Sequence, residues 1–148
     1  MSHLDAVVST VGSVHFGLLT EMTEEQFYVG IKNKLMGQVN LVLIGQHYLN
    51  PKASFTLTSG ILNQDPILQG ANAAVVNGAI EGFVKAAALE LPNSMRINAI
   101  SPTIVTESMP KLEAFFRGFV SVPVAEVALA YSKSVEGAQT GQVYRVGY

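Results

Sequence analysis

Few side chains in this chain of 148 residues can do chemistry, and those that can stand in an apolar background. Ser59 follows a short run of β-formers, Phe55-Thr56-Leu57-Thr58, and turns with Gly60. A hydroxyl at a strand end either caps that end or meets a ligand, and the sequence permits both. His15 follows the carboxyl end of the first apolar strand, where open α/β sheets place ligands; a lone loop histidine is usually a surface residue. Asp65 precedes Pro66, which makes it a turn residue before it is a catalytic carboxylate. Lys34 is either a solvated or ion-paired helix residue or a cation facing the same cleft. His47 and Tyr48 read as helix surface or a subunit contact. No spacing of His, Asp or Glu suits a metal. Without cysteine there is neither thiol chemistry nor a disulfide framework.

The background itself excludes several classes. A net charge of −2 gives no case for nucleic acid or an anionic membrane. Every apolar run is interrupted before it could span a bilayer. The opening Met1-Ser2-His3-Leu4-Asp5 lacks the basic and apolar regions of a signal peptide, so a cytoplasmic location is expected. Apolar residues make up 49% of the chain and the mean hydropathy is +0.32. Parallel strands covered on both faces read this way, as does a chain with apolar surface for a partner subunit.

The elements that must position these residues follow in order. Residues 5–10 form a first strand, with Val11-Gly12-Ser13 as its turn. Thr23 and Gln26 form a capping box for a helix with Phe27, Ile31 and Leu35 at four-residue steps, which Asn50-Pro51 ends. The strand 55–58 leads through a polar loop into a long helix with Gly70, Ala74, Gly78, Gly82 and Ala86 at every fourth position. That stripe lets another backbone approach closely, either this chain's own sheet or a twin helix in a dimer. Residues 96–101 are a strand that Pro102 ends. Leu112, Phe115, Phe116 and Phe119 form a short apolar helix. Pro123 starts another helix, with Val124, Val127, Ala128 and Tyr131 as its apolar face, and residues 143–146 close the chain as a strand. The order is strand, helix, strand, helix, strand, helices, strand, with right-handed crossovers between parallel strands.

The segment EGFVKAAALEL at 81–91, the RINAISP at 96–102 and the Thr140-Gly141-Gln142 turn before the last strand carry a resemblance. They are similar to the active-site helix, the following strand and the closing segment of the short-chain dehydrogenase/reductase family. The resemblance implies an α/β fold: a partial Rossmann-like three-layer sandwich, with a mostly parallel sheet and helices on both faces. Residues 1–148 then form one domain resembling the C-terminal two-thirds of a family member, starting at the family's fourth strand. No glycine-rich dinucleotide turn is present, and the first strand would present a bare edge, which invites pairing with another chain. A fragment, half of an assembly and a tight oligomer all remain open.

By the same resemblance, Ser59 is the catalytic serine that orients a substrate carbonyl. Ala73 stands at the position of the catalytic tyrosine and Asn77 at that of the catalytic lysine four residues on. The family's mechanism needs that pair, because a phenol of pKa about 10 must be drawn toward neutrality by an adjacent cation. Lys34, with Asn33 beside it, falls at the position of the family's supporting asparagine. Gly12, Asn77, Pro102 and Thr103 fall at cofactor-binding positions, and Glu107, with Thr106 before it, where a further threonine is usual. The resemblance implies a nicotinamide cofactor, NADP or NAD, and a small carbonyl or alcohol substrate under an apolar, aromatic lid at 111–119. It also implies a homodimer or homotetramer through helices 24–49 and 72–91, with no nucleic acid, membrane or metal. The alternative is a non-catalytic Rossmann-like binding or assembly module, or a truncated relative without independent activity.

Overall fold

A computed structural model describes residues 3–148. Four parallel strands form one sheet in the order β1 (Leu4–Val8), β2 (Leu49–Thr58), β3 (Arg96–Pro102) and β4 (Val143–Val146). Alternation along the strands divides the core between two helical layers. Phe55, Leu57, Ile97 and Ala99 pack with Val42, Val76, Ile80 and Val84 on one face. Thr56 and Asn98 point the other way, where both meet the hydroxyl of Ser134. Ile100 on that face packs with Val127.

The first layer holds a helix that opens with α1 (Glu24–Gly30), passes through a π-helical turn (Ile31–Leu35) and continues as α2 (Met36–Gly45). Thr23 and Gln26 make the expected capping box. The same layer holds α3 (Ala71–Glu90). The second layer holds α5 (Val124–Glu136), preceded by the short α4 (Met109–Leu112). Helices therefore lie on both sides of a Rossmann-like parallel sheet, as expected.

Several boundaries differ from expectation for physical reasons. β1 ends at Val8, not at residue 10. α2 stops at Gly45, and Asn50-Pro51 lies inside β2 rather than ending a helix. Proline is accommodated there because the pairing of β1 with β2 is irregular between Leu4 and Ala6, and Lys52 turns to φ 66°. The lid helix over 111–119 does not form. α4 ends at Leu112 and the following residues are turns, with Gly118 at φ 86°. Phe116 is nonetheless buried, edge-on to Phe119 at 5.3 Å. Pro123 is the N-cap of α5 rather than its first residue. Val127 and Tyr131 face inward as expected, joined by Ala130, whereas Val124 and Ala128 are exposed.

The small-residue stripe of α3 does not fit against this chain's own sheet. The sheet-facing side is Ala73, Val76, Asn77, Ile80, Glu81 and Val84. A methyl group added at Gly82 would touch nothing within 4 Å, and one at Gly78 would reach only Asn63 at 3.8 Å.

Candidate active site at the carboxyl ends of the strands

α1 and the π-helical turn are all but continuous, yet the turn rotates the chain so that adjacent residues face different partners. Asn33 turns to the loop after β1, where its Oδ1 accepts from Ser13 N at 2.7 Å. Lys34 points inward. Its Nζ donates to Ser59 O at 3.0 Å and to Asn77 Oδ1 at 2.9 Å. The lysine and asparagine positions implied by the resemblance are thus occupied in exchange, and the two side chains touch.

Gly12 makes this approach possible. A Cβ there would sit 2.7 Å from Lys34 Cβ and Cγ, so only glycine lets the lysine stem lie under the loop. Burial lowers the Lys34 ammonium from its ordinary value of 10.5 to about 8. Its two partners, a carbonyl and an amide oxygen, bring no charge.

Ser59 is buried. Its N–H donates to Ile100 O, and its Oγ donates to Glu81 Oε1 at 3.0 Å. Asn63 Nδ2 donates to the other oxygen, Glu81 Oε2, at 3.0 Å. With its proton directed at Glu81, the Ser59 hydroxyl faces any ligand as an acceptor. Asn63 Oδ1 is buried beside this group without a partner, one acceptor left over at the site.

Two residues that hold the frame escaped sequence reasoning. Gln38, one turn after Lys34, pairs twice with Thr58: Nε2 to Thr58 O at 2.9 Å, and Thr58 N to Oε1 at 2.8 Å. Asn72 mends the helix where the π-helical turn begins. Ile31 N–H bonds Tyr28 O, and Asn72 Nδ2 takes Phe27 O at 2.6 Å while its Oδ1 accepts from Gly30 N at 3.1 Å and His15 N at 2.9 Å. Glu81, seen in the sequence only as part of a helix-end match, anchors Ser59. The available signal was polar residues one helical turn apart on apolar faces: Lys34 with Gln38, and Asn77 with Glu81.

The remaining expected positions lie around this cluster. Pro102 ends β3 on the neighbouring strand, paired with Val146. Thr103 is buried, with its N–H on Val146 O and its hydroxyl on Val120 O. Glu107 accepts from Val124 N and so caps the start of α5, where a carboxylate suits the helix dipole. Ala73 is buried beside Ile61, Leu62, Ile104 and Phe116, so apolar side chains fill the tyrosine position. The His15 ring lies over Gly17, and Asp65 is exposed in its turn; neither is hydrogen-bonded to Lys34 or Ser59. His47 and Tyr48 are exposed. Among the described residues no group of His, Asp and Glu could hold a metal ion.

A family model described as enoyl-(acyl carrier protein) reductase matches residues 1–139. The short-chain dehydrogenase/reductase ucsE of Acremonium is 31% identical over 136 residues, which span 89% of this chain and 51% of that protein. The chain belongs to the short-chain dehydrogenase/reductase family. A second family member, ATR9 of Stachybotrys chlorohalonatus, is 33% identical over 67% of this chain and 40% of its own length. The chain thus spans about half the length of the curated short-chain dehydrogenases it matches, or less. Among solved structures, protein lin1944 of Listeria innocua superposes with a TM-score of 0.96 at 56% identity, covering 97% of this chain and 72% of that one. A small-chain dehydrogenase in complex with NADPH superposes with a TM-score of 0.84 at 26% identity, over 97% and 72%.

Proposed function

We propose that this chain forms the catalytic half of a nicotinamide-dependent oxidoreductase, a single domain that interconverts a small carbonyl compound and its alcohol. The cluster of Lys34, Asn77, Ser59 and Glu81 at the carboxyl ends of parallel strands carries the reading, because open α/β sheets bind ligands there. The residues fit one end of the cofactor. Asn77 offers its amide donor to the hydroxyls of the nicotinamide ribose, beside Lys34, with Gly12, Pro102 and Thr103 at the edge. They do not fit the pyrophosphate, for which the sequence has no glycine-rich turn. Bound there, NADP or NAD would supply the two-electron redox equivalent. This chain's residues would hold the substrate and exclude water, with Ser59, its proton directed at Glu81, accepting from the hydroxyl of the alcohol form. Met109, Phe116 and Phe119 line a space of about 530 Å³ together with the charged Glu113 and Arg117, so the segment after α4 offers both apolar and charged contacts.

Self-association through α2 and α3 belongs to the same reading. Leu41, Leu43, Ile44 and Tyr48 are exposed on and after α2, as are Val75, Gly82 and Leu89 on α3. Exposed apolar side chains of this number suit a homodimer or homotetramer. No helix of the described residues is long and apolar enough to cross a membrane. A cytoplasmic location is part of the proposal.

One observation favours a second reading, a binding or assembly module without turnover: Ala73 lies under Phe116, so the tyrosine position carries no acid. Calorimetric titration with NADPH and NADH, followed by assay against apolar ketones and alcohols, separates the two. Binding with turnover supports the oxidoreductase. Binding without turnover supports the module, and no binding removes both cofactor readings.

A further inference from the structure

Among the described residues Lys34 is the one ammonium hydrogen-bonded between the end of β2 and the first half of α3, and its bonding is incomplete. An ammonium carries three N–H donors. Two are taken, by Ser59 O and Asn77 Oδ1, and among the described residues the third meets no protein acceptor. The stem is packed closely under Gly12, which limits the movement of the ammonium. Two other proton carriers lie nearby, and neither is as well placed. Ser59 already gives its proton to Glu81. Tyr148 bonds Ser101, and burial together with the Glu81 charge raises its phenol above its ordinary value.

We propose that Lys34 Nζ is the proton-carrying group of this site, donating its third N–H to the oxygen of a bound carbonyl substrate and passing the proton to that oxygen as the carbonyl becomes an alcohol. The inference rests on the oxidoreductase reading above. The carbonyl carbon gains hydrogen with its electron pair from a reduced nicotinamide cofactor, the π pair moves to oxygen, and oxygen takes the proton from Nζ. The neutral amine then regains a proton from solvent, and alcohol oxidation runs the same steps backward. An acid near 8 suits this work: at pH 7 most sites hold the proton, and it is still readily released. The charged groups around Nζ leave it free to act. Glu81, one turn along α3, is engaged by Ser59 and Asn63. Lys32 on the same helix lies over the Tyr28 ring, His15 in the loop is turned over Gly17, and Arg145 lies over the Tyr148 ring. The carboxyl end of β2 contributes only neutral groups, Thr58 and the Ser59 that follows it.

The test uses the full chain with labelled lysine side chains. The Nζ resonance of Lys34, identified as the one missing from Lys34→Gln, is followed by NMR against pH, alone and with NADPH or NADH. A midpoint near 8 that moves when cofactor is added is expected. Carbonyl reduction should slow as pH rises through that midpoint, and alcohol oxidation should quicken. Lys34→Gln and Lys34→Arg should both lower kcat about 100-fold or more and flatten this profile, with KM little changed, because arginine keeps the charge but does not release its proton. A midpoint near 10.5, or an Lys34→Arg variant with full kcat and an unchanged profile, overturns the assignment to Lys34 while leaving the oxidoreductase standing. A spectrum that neither cofactor perturbs removes the oxidoreductase reading and this inference with it.

Discussion

Lys34 Nζ and Asn77 Oδ1 are 2.9 Å apart, reached from two different helices. Exchanging the two residues should therefore be far milder than changing either alone. Asn77→Lys brings two ammonium groups together in a half-buried place and should cost about 2–3 kcal/mol. Lys34→Asn leaves Ser59 O without its donor and should cost about 1–2 kcal/mol. The double exchange should recover at least about 1 kcal/mol over the sum of the singles. Urea unfolding of the four proteins measures this; strict additivity would mean that the pair does not interact.

Burial of the Lys34 ammonium also predicts a pH dependence of stability. The folded chain holds this proton less tightly than the unfolded chain, whose lysine keeps its ordinary value of 10.5. Below about pH 8 both states are protonated and the cost of burial is present in full. Between about 8 and 10.5 only the unfolded state carries the proton, so stability rises with pH. The gain should be about 1–3 kcal/mol, allowing for the partial solvent contact of the group. Lys34→Met, unfolded in denaturant at each pH, should lack it.

Asn72 and Gly30 should behave as one unit. A Cβ at residue 30 would stand 2.3 Å from Asn72 Oδ1, so Gly30→Ala must displace the amide. Asn72→Ala leaves Phe27 O, Gly30 N and His15 N short of a partner. Each change should cost about 2–4 kcal/mol, and the two together little more than one. Denaturant midpoints of the three variants decide the matter.

Restoring a tyrosine at residue 73 should not simply restore a phenol to the site. Ala73 is 4% exposed and packed with Phe116, so Ala73→Tyr overfills its cluster and should cost about 1–3 kcal/mol. Phe116→Ala in the same chain should relieve part of that loss. Thermal unfolding of the single and double variants would show whether Phe116 is the residue in the way.

Gly82→Ala gives a test of the dimer whose sign carries the answer. Within one chain the new methyl meets nothing within 4 Å, so alanine should stabilise α3 by up to about 1 kcal/mol. If a second copy packs its backbone there, the same methyl should loosen the dimer. Sedimentation of both proteins over a range of concentrations, with unfolding curves, distinguishes these outcomes.

The fold was legible because its signals are periodic. The capping box at Thr23, the apolar runs of β2 and β3 and the small and apolar face of α3 each depend on residues close in sequence. The π-helical turn was not legible, since inserting one residue into a helix leaves the four-residue spacing of Phe27, Ile31 and Leu35 intact as letters. Lys34 lies in that turn and faces Ser59 while Asn33 faces the loop after β1, so the sequence offered the cleft-facing lysine only as one of two readings. The lid helix was overread: Leu112, Phe115, Phe116 and Phe119 keep helical spacing, but Gly118 takes a positive φ and only Phe116 is buried. Ser59 and Asn77 were visible because strand ends and helix positions carry over by resemblance, whereas Gln38 and Asn72 bond to backbone atoms, which no sequence displays.

Thr58 is bound from both helical layers at once. Gln38 of α2 holds its N–H and C=O, Tyr131 of α5 meets its hydroxyl from the opposite face of the sheet, and that hydroxyl donates to Ser9 O beyond β1. Mechanically the residue is a rivet through three layers. α5 cannot slide along the sheet without pulling on the residue that precedes Ser59. Anything that grips the outer face of α5 therefore has a short, stiff lever onto the serine on the far side of the molecule.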